Sequence, residues 1–146
     1  MNQNRSAEIN RKTNETNIDL KLDLDHYFEG DIDTGSAFLD HMLDLFRKHS
    51  GIGLSIVCKG DNEIDMHHST EDIAIAFGSG IAQAIGEKSG IERYGLYMVP
   101  MDEAFARVVL DLSGRITYVF EGELTLSQIG NVDTELITHF CESLAQ

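Results

Sequence analysis

The stretch Phe38-Leu39-Asp40-His41-Met42 decides the fold, because Leu136-Ile137-Thr138-His139-Phe140 repeats its pattern 98 residues later (139 minus 41). Each stretch places a histidine inside an apolar stripe of helical spacing. The repetition predicts a chain of two similar halves, residues 1–90 and 91–146, each built from both strands and helices.

Periodic patterns around these stretches predict the remaining elements. Alternation of apolar and polar residues is typical of half-buried strands, and it occurs near residues 7–13, 18–24, 52–58, 92–99, 103–112 and 115–121. A helix follows the turn at 33–36 and ends at Gly51, since glycine commonly closes helices. Two more helices are predicted, over about 67–87 and 133–144.

The two halves differ in one respect. In the first half, His67-His68-x-x-Glu71 begins 26 residues after His41 (67 minus 41). The second half would place its counterpart near residue 165 (139 plus 26), beyond Gln146. By this internal comparison, we expect the second half to be incomplete, one strand and one helix short.

The composition argues against several classes of partner. The 146 residues include 25 acidic and 11 basic side chains, which gives a net charge of −14. Such a charge disfavours binding to nucleic acid or to an anionic membrane surface, and no stretch is apolar enough to span a bilayer. Cys58 and Cys141 lack metal-type spacing and are predicted to be buried free thiols. A reducing cytoplasm is the expected location.

The motif His67-His68-Ser69-Thr70-Glu71 indicates a metal centre, because imidazole and carboxylate groups bind zinc, manganese, iron and nickel. On a helix, Glu71 shares a face with each histidine. The two histidines diverge by about 100° around the helix axis, so they should not bind one ion together. We therefore predict two metal sites, one on each side of a helix start. A solvated helix start with an ordinary acidic first turn, including Asp72, is the alternative.

Four other residues gain their interest from context. His41 and His139 lie on otherwise apolar helix faces, where a histidine is more often a hydrogen-bonded core residue, but their recurrence favours metal ligation. Arg93 and Arg115 stand out in a chain with few cations, because the planar guanidinium binds phosphate bidentately. For the arginines, a surface ion pair is the alternative.

In combination, several motifs resemble the imidazoleglycerol-phosphate dehydratase family over nearly the whole chain. They are Arg11-x-Thr13-x-Glu15-Thr16, Thr34-Gly35-x-x-Phe38-Leu39-Asp40-His41-Met42-Leu43, Gly60-Asp61 with His67-His68-x-x-Glu71-Asp72, Gly90-Ile91-x-Arg93-Tyr94-Gly95, Pro100-Met101-Asp102-Glu103-Ala104, Asp111-Leu112-Ser113-Gly114-Arg115 and Asp133-Thr134-Glu135-Leu136-x-x-His139-Phe140. The resemblance implies a lyase of L-histidine biosynthesis that dehydrates D-erythro-imidazole glycerol phosphate to imidazole acetol phosphate.

The resemblance also implies an architecture and a metal content. The fold would be α/β (α+β), with duplicated half-domains of the ribosomal protein S5 domain 2-like type, each a small, mostly antiparallel sheet backed by helices. The assembly would be a homo-oligomer, a 24-mer of cubic symmetry, with active sites at subunit interfaces. Each site would hold two Mn²⁺ ions, each bound by three histidines and one glutamate. Five ligand positions match in this chain: His41, His67, His68, Glu71 and His139.

Four further residues acquire roles from the resemblance. Arg93 and Arg115 match positions that bind the substrate phosphate. Glu15, which spacing alone leaves uninformative, matches an acid/base residue, and Asp102 would support it. Metal coordination would stabilise the substrate imidazole as imidazolate, while a carboxylate takes the adjacent proton. Because the second metal motif is missing, we expect the chain by itself to be weakly active or inactive.

Two alternatives use the same residues. One is a non-catalytic metal-binding or assembly protein that has lost its second metal motif; it would bind manganese without turnover. The other is a zinc-dependent hydrolase, with His67, His68 and Glu71 around one tightly bound ion.

Overall fold

The computed structural model describes residues 4–146. Its strands are β1 (Ser6–Lys12), β2 (Thr16–Asp23), β3 (Glu29–Asp33), β4 (Gly53–Gly60), β5 (Tyr94–Met101), β6 (Ala104–Asp111), β7 (Gln128–Ile129) and β8 (Val132–Asp133). Its helices are α1 (Ala37–Ser50), α2 (His67–Ile85) and α3 (Glu135–Leu144). The predicted α+β class, with small and mostly antiparallel sheets, is confirmed.

The first half contains a four-stranded sheet in the order β1-β2-β4-β3. β1 and β4 are antiparallel to β2, and β3 runs parallel to β4. The three strands predicted for this half are confirmed. The additional strand β3 was not predicted, because its sequence Glu-Gly-Asp-Ile-Asp has one apolar residue. As an edge strand, it pairs with β4, and its one apolar residue, Ile32, packs against the core.

The core of the first half lies between this sheet and the helices. Ile18, Leu20 and Leu22 of β2 are at most 1% exposed, and Leu20 and Leu22 pair with Ile56 and Leu54 of β4. The helices cover these residues with Leu39, Leu43, Ile73, Ala76 and Phe77. Burying each large apolar side chain stabilises the fold by roughly 1.5–3 kcal/mol, so the alternation in β2 fixes which face meets the helices.

Helix boundaries follow local chemistry. Ser36 Oγ accepts the Leu39 N–H at 3.5 Å at the start of α1. Gly51 adopts a φ of 74° and donates its N–H to the Arg47 carbonyl, and this left-handed conformation favours glycine. Gly51 therefore ends α1 as predicted. Helix α2 begins at His67, as predicted, and ends at Ile85 rather than at 87.

The second half begins with an antiparallel ribbon of β5 and β6, which confirms two predicted strands. The strand predicted over 115–121 is wrong: these residues form no regular structure. Their alternating pattern is not sufficient, because a strand also needs a neighbour to receive its backbone hydrogen bonds. The short hairpin β7–β8 then leads into α3, which confirms the third predicted helix.

Two smaller expectations can be compared with the structure. Cys58 is buried, but Cys141 is exposed, so its predicted burial is wrong. Cys141 directly follows Phe140 and is turned by about 100° from the apolar stripe of α3. Within residues 4–146, no helix combines the length and the apolar character needed to cross a membrane.

Candidate metal centre

Close packing of α3 against α2 creates the candidate centre. A Cβ atom on Gly78 of α2 would clash with the Leu144 carbonyl oxygen of α3, so glycine lets the two backbones approach each other. Near the start of α2, the helices are joined by a small buried cluster made of Met66, Val132 and Leu136. These contacts hold the first turn of α2 beside α3.

Three of the predicted ligands meet at this junction. His67 and Glu71 lie one turn apart on α2, and His139 reaches them from α3; their candidate ligand atoms all lie within 4.8 Å of one another. The rings of His67 and His139 are stacked, with centroids 4.8 Å apart and planes inclined by 25°. His139 Nε2 lies 3.7 Å from Glu71 Oε1. This is the one such group of three found among residues 4–146.

The electrostatics of His139 suit a cation. Its Nε2 atom is buried and has no hydrogen-bond partner within residues 4–146, and the 3.7 Å to Glu71 is too long for a hydrogen bond. Buried polar atoms without a partner are costly and rare. Two imidazoles and a carboxylate form a donor set for manganese, zinc, iron or nickel, so the group fits a divalent metal ion.

His68 points elsewhere, as its position on the helix predicts. Its ring lies at 89° to that of His67, with centroids 6.1 Å apart, and its Nδ1 is 3.0 Å from Asp61 Oδ2. This hydrogen bond raises the pKa of His68, and the negative charges of Asp61, Glu15 and Asp65 add to the effect. When Nδ1–H donates to the carboxylate, Nε2 remains available as a ligand atom.

The remaining predicted residues of the first half lie outside the three-residue group. His41 is exposed on α1. Glu15 is exposed in the turn between β1 and β2, where its N–H donates to Thr13 Oγ1 at 3.2 Å. One chain thus brings together His67, Glu71 and His139, while His41 and His68 lie apart from them.

Arg93, one of the two predicted phosphate-binding residues, is paired with a carboxylate. Arg93 donates from Nε and Nη2 to the two oxygens of Asp111, at 2.6 and 3.1 Å, and its guanidinium carbon lies 5.0 Å from the Tyr94 ring centroid. The hydrogen bond from Arg93 lowers the pKa of Asp111, and the charges of Arg115 and Lys88 contribute. The surface ion pair considered for Arg93 is therefore present, and an incoming anion would compete with Asp111.

Asp102 lies apart from these groups, in the exposed turn between β5 and β6. Its φ of 48° is left-handed, a conformation that aspartate tolerates better than most residues. In the part of the chain that the structure describes, Asp102 is not a member of the three-residue group.

Sequence reasoning missed the role of Asp72, which it treated as part of an ordinary acidic first turn. Asp72 is only 8% exposed, and its carboxylate accepts hydrogen bonds from Arg11, Thr13 and Thr16. The spacing of Asp72 along α2 could have predicted that its side chain is buried. Asp72 lies three residues after Ser69 and four before Ala76, so helical spacing puts it on a face that is buried.

Comparison with known proteins identifies the family to which this chain is similar. The model of the family described as imidazoleglycerol-phosphate dehydratase matches residues 34–146. The imidazoleglycerol-phosphate dehydratase of Chlorobium phaeobacteroides is 50% identical over 145 residues, which cover 99% of this chain and 72% of that protein. The enzyme of Lactiplantibacillus plantarum is 49% identical, over 97% of this chain and 73% of its own length.

Solved structures agree with these relatives. The crystal structure of imidazoleglycerol-phosphate dehydratase from Staphylococcus aureus superposes with a TM-score of 0.84 at 37% identity, covering 96% of this chain and 77% of that one. The enzyme from Pyrococcus furiosus, in complex with (S)-C348, gives a TM-score of 0.80 at 28% identity, over 94% and 72% of the two chains.

Proposed function

The chain belongs to the imidazoleglycerol-phosphate dehydratase family, and we propose from this premise how its own residues bind the substrate and move protons. It is a hydro-lyase of histidine biosynthesis, which removes water from imidazole glycerol phosphate to give imidazole acetol phosphate. The relatives favour this function over the metal-binding and hydrolase alternatives.

His67, Glu71 and His139 would hold one divalent ion, and Mn²⁺ is the proposed metal. A bound ion of this kind supplies Lewis-acid stabilisation of negative charge on the substrate imidazole. The buried, unpartnered Nε2 of His139 supports this assignment. His68 diverges from His67, so we propose that it serves the second of two ions per site, together with His41.

Proton transfer is assigned to Glu15, with Asp102 in support. The proton to be removed lies on a carbon beside the hydroxyl that leaves, and a positioned carboxylate typically accelerates such a transfer by about 10²–10⁴-fold. Glu15 is exposed, as a group that meets substrate must be, and its charge acts on the proposed ligand His68. Asp102 lies in the turn of the β5–β6 ribbon. It could support Glu15 only if that ribbon came close to the turn between β1 and β2, called here the Glu15 turn.

Substrate binding is assigned to Arg93 and Arg115. Arg93 is paired with Asp111, and the charge of Arg115 contributes to the lowered pKa of the same carboxylate, so we propose that both guanidinium groups serve one phosphate. Bidentate contacts of this type fix the orientation of the substrate as well as its affinity. In the absence of substrate, the ion pair with Asp111 would fix the position of the Arg93 guanidinium beside the ribbon.

We also propose that residues 1–90 and 91–146 are duplicated halves and that copies assemble into a 24-mer with sites at subunit interfaces. His41 and His139 are each the fifth residue of their helix, since α1 begins at Ala37 and α3 at Glu135. Because His41 and His68 lie outside the three-residue group, ligands from neighbouring copies would complete the sites. The two free cysteines support a cytoplasmic location.

The convergence of His67, Glu71 and His139 carries the proposal, and Glu71→Gln tests it. Mn²⁺ binding is followed by calorimetry, and turnover by formation of the keto product. We expect the wild type to bind Mn²⁺, and we expect Glu71→Gln to lose at least about tenfold in Mn²⁺ affinity and in any turnover that the wild type shows. His49→Ala, which removes an exposed histidine, should change neither.

Other results would favour the alternatives. Mn²⁺ binding without turnover in the wild type would support the non-catalytic metal-binding protein. A single tightly bound zinc ion with hydrolytic activity would support the hydrolase. Unchanged Mn²⁺ affinity in Glu71→Gln would remove this residue from the proposed centre.

A further inference from the structure

We propose that Asp72 is a positioning residue that holds the Glu15 turn at a fixed distance from the metal-binding turn of α2. This inference rests on the roles proposed above for Glu15 and Glu71. It assigns to Asp72 no contact with substrate or metal; its effect is on where Glu15 lies.

Both oxygens of the Asp72 carboxylate are used. Oδ1 accepts from Arg11 Nε at 2.9 Å and from Arg11 Nη2 at 2.6 Å. Oδ2 accepts from Thr13 Oγ1 at 3.2 Å and from Thr16 Oγ1 at 2.5 Å. Arg11 belongs to the end of β1, Thr16 to the start of β2, and Thr13 to the turn between them. One side chain of α2 therefore binds both strands of the hairpin at their connection.

The same turn fixes the backbone of Glu15. Thr13 Oγ1 accepts the N–H of Glu15 at 3.2 Å and the N–H of Thr16 at 3.0 Å. The Thr13 N–H donates to the Thr16 carbonyl at 2.9 Å. The Thr13 hydroxyl thus connects the Glu15 backbone directly to the carboxylate of Asp72.

The position of Asp72 on α2 explains why such a contact matters. Asp72 follows Glu71 directly, so the two carboxylates point about 100° apart around one helical turn. Glu71 faces His139, and Asp72 faces the hairpin. A rigid helix turn consequently separates the proposed metal ligand from the proposed acid/base turn, and an error of about 1 Å in such a geometry can cost about 10²-fold in rate.

The test uses two substitutions that keep side-chain size. Asp72→Asn removes the charge and one acceptor oxygen. Thr13→Val removes the hydroxyl that accepts the hydrogen bond from the Glu15 N–H. Thr13→Ser keeps that hydroxyl and is the matched control. Asp25→Asn is a second control, because it weakens the exposed pair between Asp25 and Arg5 at the opposite end of the same hairpin.

Two measurements need no turnover. In the protein without metal, amide hydrogen exchange at residue 15 should accelerate about tenfold in Thr13→Val and also rise in Asp72→Asn. With Mn²⁺ bound, paramagnetic relaxation of the Glu15 amide should change in both variants, while Mn²⁺ affinity stays close to that of the wild type. Thr13→Ser and Asp25→Asn should keep the wild-type values.

Kinetics separate positioning from general stability. Asp72→Asn should lower kcat by about 10²-fold with KM little changed. In a Glu15→Gln background, Asp72→Asn should cost nothing further, whereas a loss of fold stability would cost the same factor in both backgrounds.

The inference is overturned if Asp72→Asn and Thr13→Val leave exchange and relaxation at Glu15 unchanged, or if Thr13→Ser is as damaging as Thr13→Val. If Glu15→Gln alone keeps wild-type turnover, the acid/base role of Glu15 fails. In that case, the exchange and relaxation data still decide whether Asp72 fixes the turn.

Discussion

His139 is the residue on which the metal centre most depends, because it joins α3 to two residues of α2 through an otherwise unpartnered nitrogen. We predict that His139→Ala lowers Mn²⁺ affinity by at least about tenfold, since one ligand atom of the group is removed. Titration calorimetry measures this. His49→Ala, an exposed histidine in the last turn of α1, is the control. Equal affinities in the two variants would contradict the assignment.

Asp72 also predicts how stability depends on pH. Burial alone would raise its pKa, but hydrogen bonds from Thr16 and Arg11 and the charge of Arg11 outweigh burial, so its pKa is lowered. A lowered folded-state pKa adds stability above the unfolded value of 3.8, and this is lost as pH falls through the folded pKa. Asp72→Asn should therefore cost about 1–3 kcal/mol at pH 7 and less at pH 3, which lies below the unfolded value.

Urea unfolding of the metal-free protein at both pH values measures this difference. Glu8→Gln is a suitable control, since its carboxylate lies 3.4 Å from Lys21 in a pair whose side chains are both more than 60% exposed and should contribute little at either pH. A cost for Asp72→Asn that stays constant with pH would mean that the charge of Asp72 does not stabilise the fold.

Sequence spacing could indicate which residues belong to the centre, but not their partners. His67 and Glu71 are one helical turn apart, so their shared face follows from periodicity. Asp72 and Arg11 are 61 residues apart, and only packing of α2 on the β1–β2 hairpin brings them together. The pairing of His68 with Asp61 depends in the same way on how the turn before α2 folds.

The α2–α3 contact gives a prediction for Gly78. Alanine would favour the helix by about 1 kcal/mol, but its Cβ would clash with the Leu144 backbone, which cannot move without shifting α3. Gly78→Ala should therefore destabilise the protein by about 1–3 kcal/mol and weaken Mn²⁺ binding, because His139 moves with α3. Thermal unfolding and calorimetry measure the two effects.

Gly80→Ala is the matched control on the same helix. Its Cβ would meet Leu20 Cδ2 at 3.1 Å, which is a contact with the sheet and not with α3. Mn²⁺ affinity in Gly80→Ala should stay near that of the wild type. If both variants lost affinity equally, the close approach of α3 to Gly78 would not be what holds the centre together.

The same elements show where sequence patterns succeed and fail. β2 was predictable because one of its faces is buried, which imposes strict alternation on Ile18, Leu20 and Leu22. β3 was missed because it has a single apolar residue, Ile32, which packs against the core. Its other contacts are made by its backbone, such as the Gly30 carbonyl that accepts from Arg47, and these leave no pattern in the side chains. Residues 115–121 have the alternation without a neighbouring strand, so the pattern predicted an element that the described fold does not form.

Over the whole molecule, charge separates two regions with different proposed tasks. The net charge is −14, and the negative charges of Glu15, Asp61 and Asp65 all raise the pKa of His68. Such an environment attracts divalent cations. At the end of the ribbon, the charges of Arg93, Arg115 and Lys88 instead lower the pKa of Asp111. This is the region where we propose that a phosphate binds. A substrate with an imidazole at one end and a phosphate at the other would need both regions, supplied by one chain or by neighbouring copies.

The ribbon of β5 and β6 carries the prediction for assembly. Every residue of both strands is exposed, and the paired residues Leu96 and Val109 are 58% and 71% exposed. An apolar surface of this kind marks a protein interface, and open strand edges favour pairing with other chains. We predict that the double variant Leu96→Lys/Val109→Lys shifts the protein toward smaller species in analytical ultracentrifugation, because lysines would be desolvated at the interface.

Tyr27→Lys, which changes an exposed aromatic residue before β3, should leave the sedimentation profile intact. Equal profiles for the wild type and the double variant would show that association uses another surface.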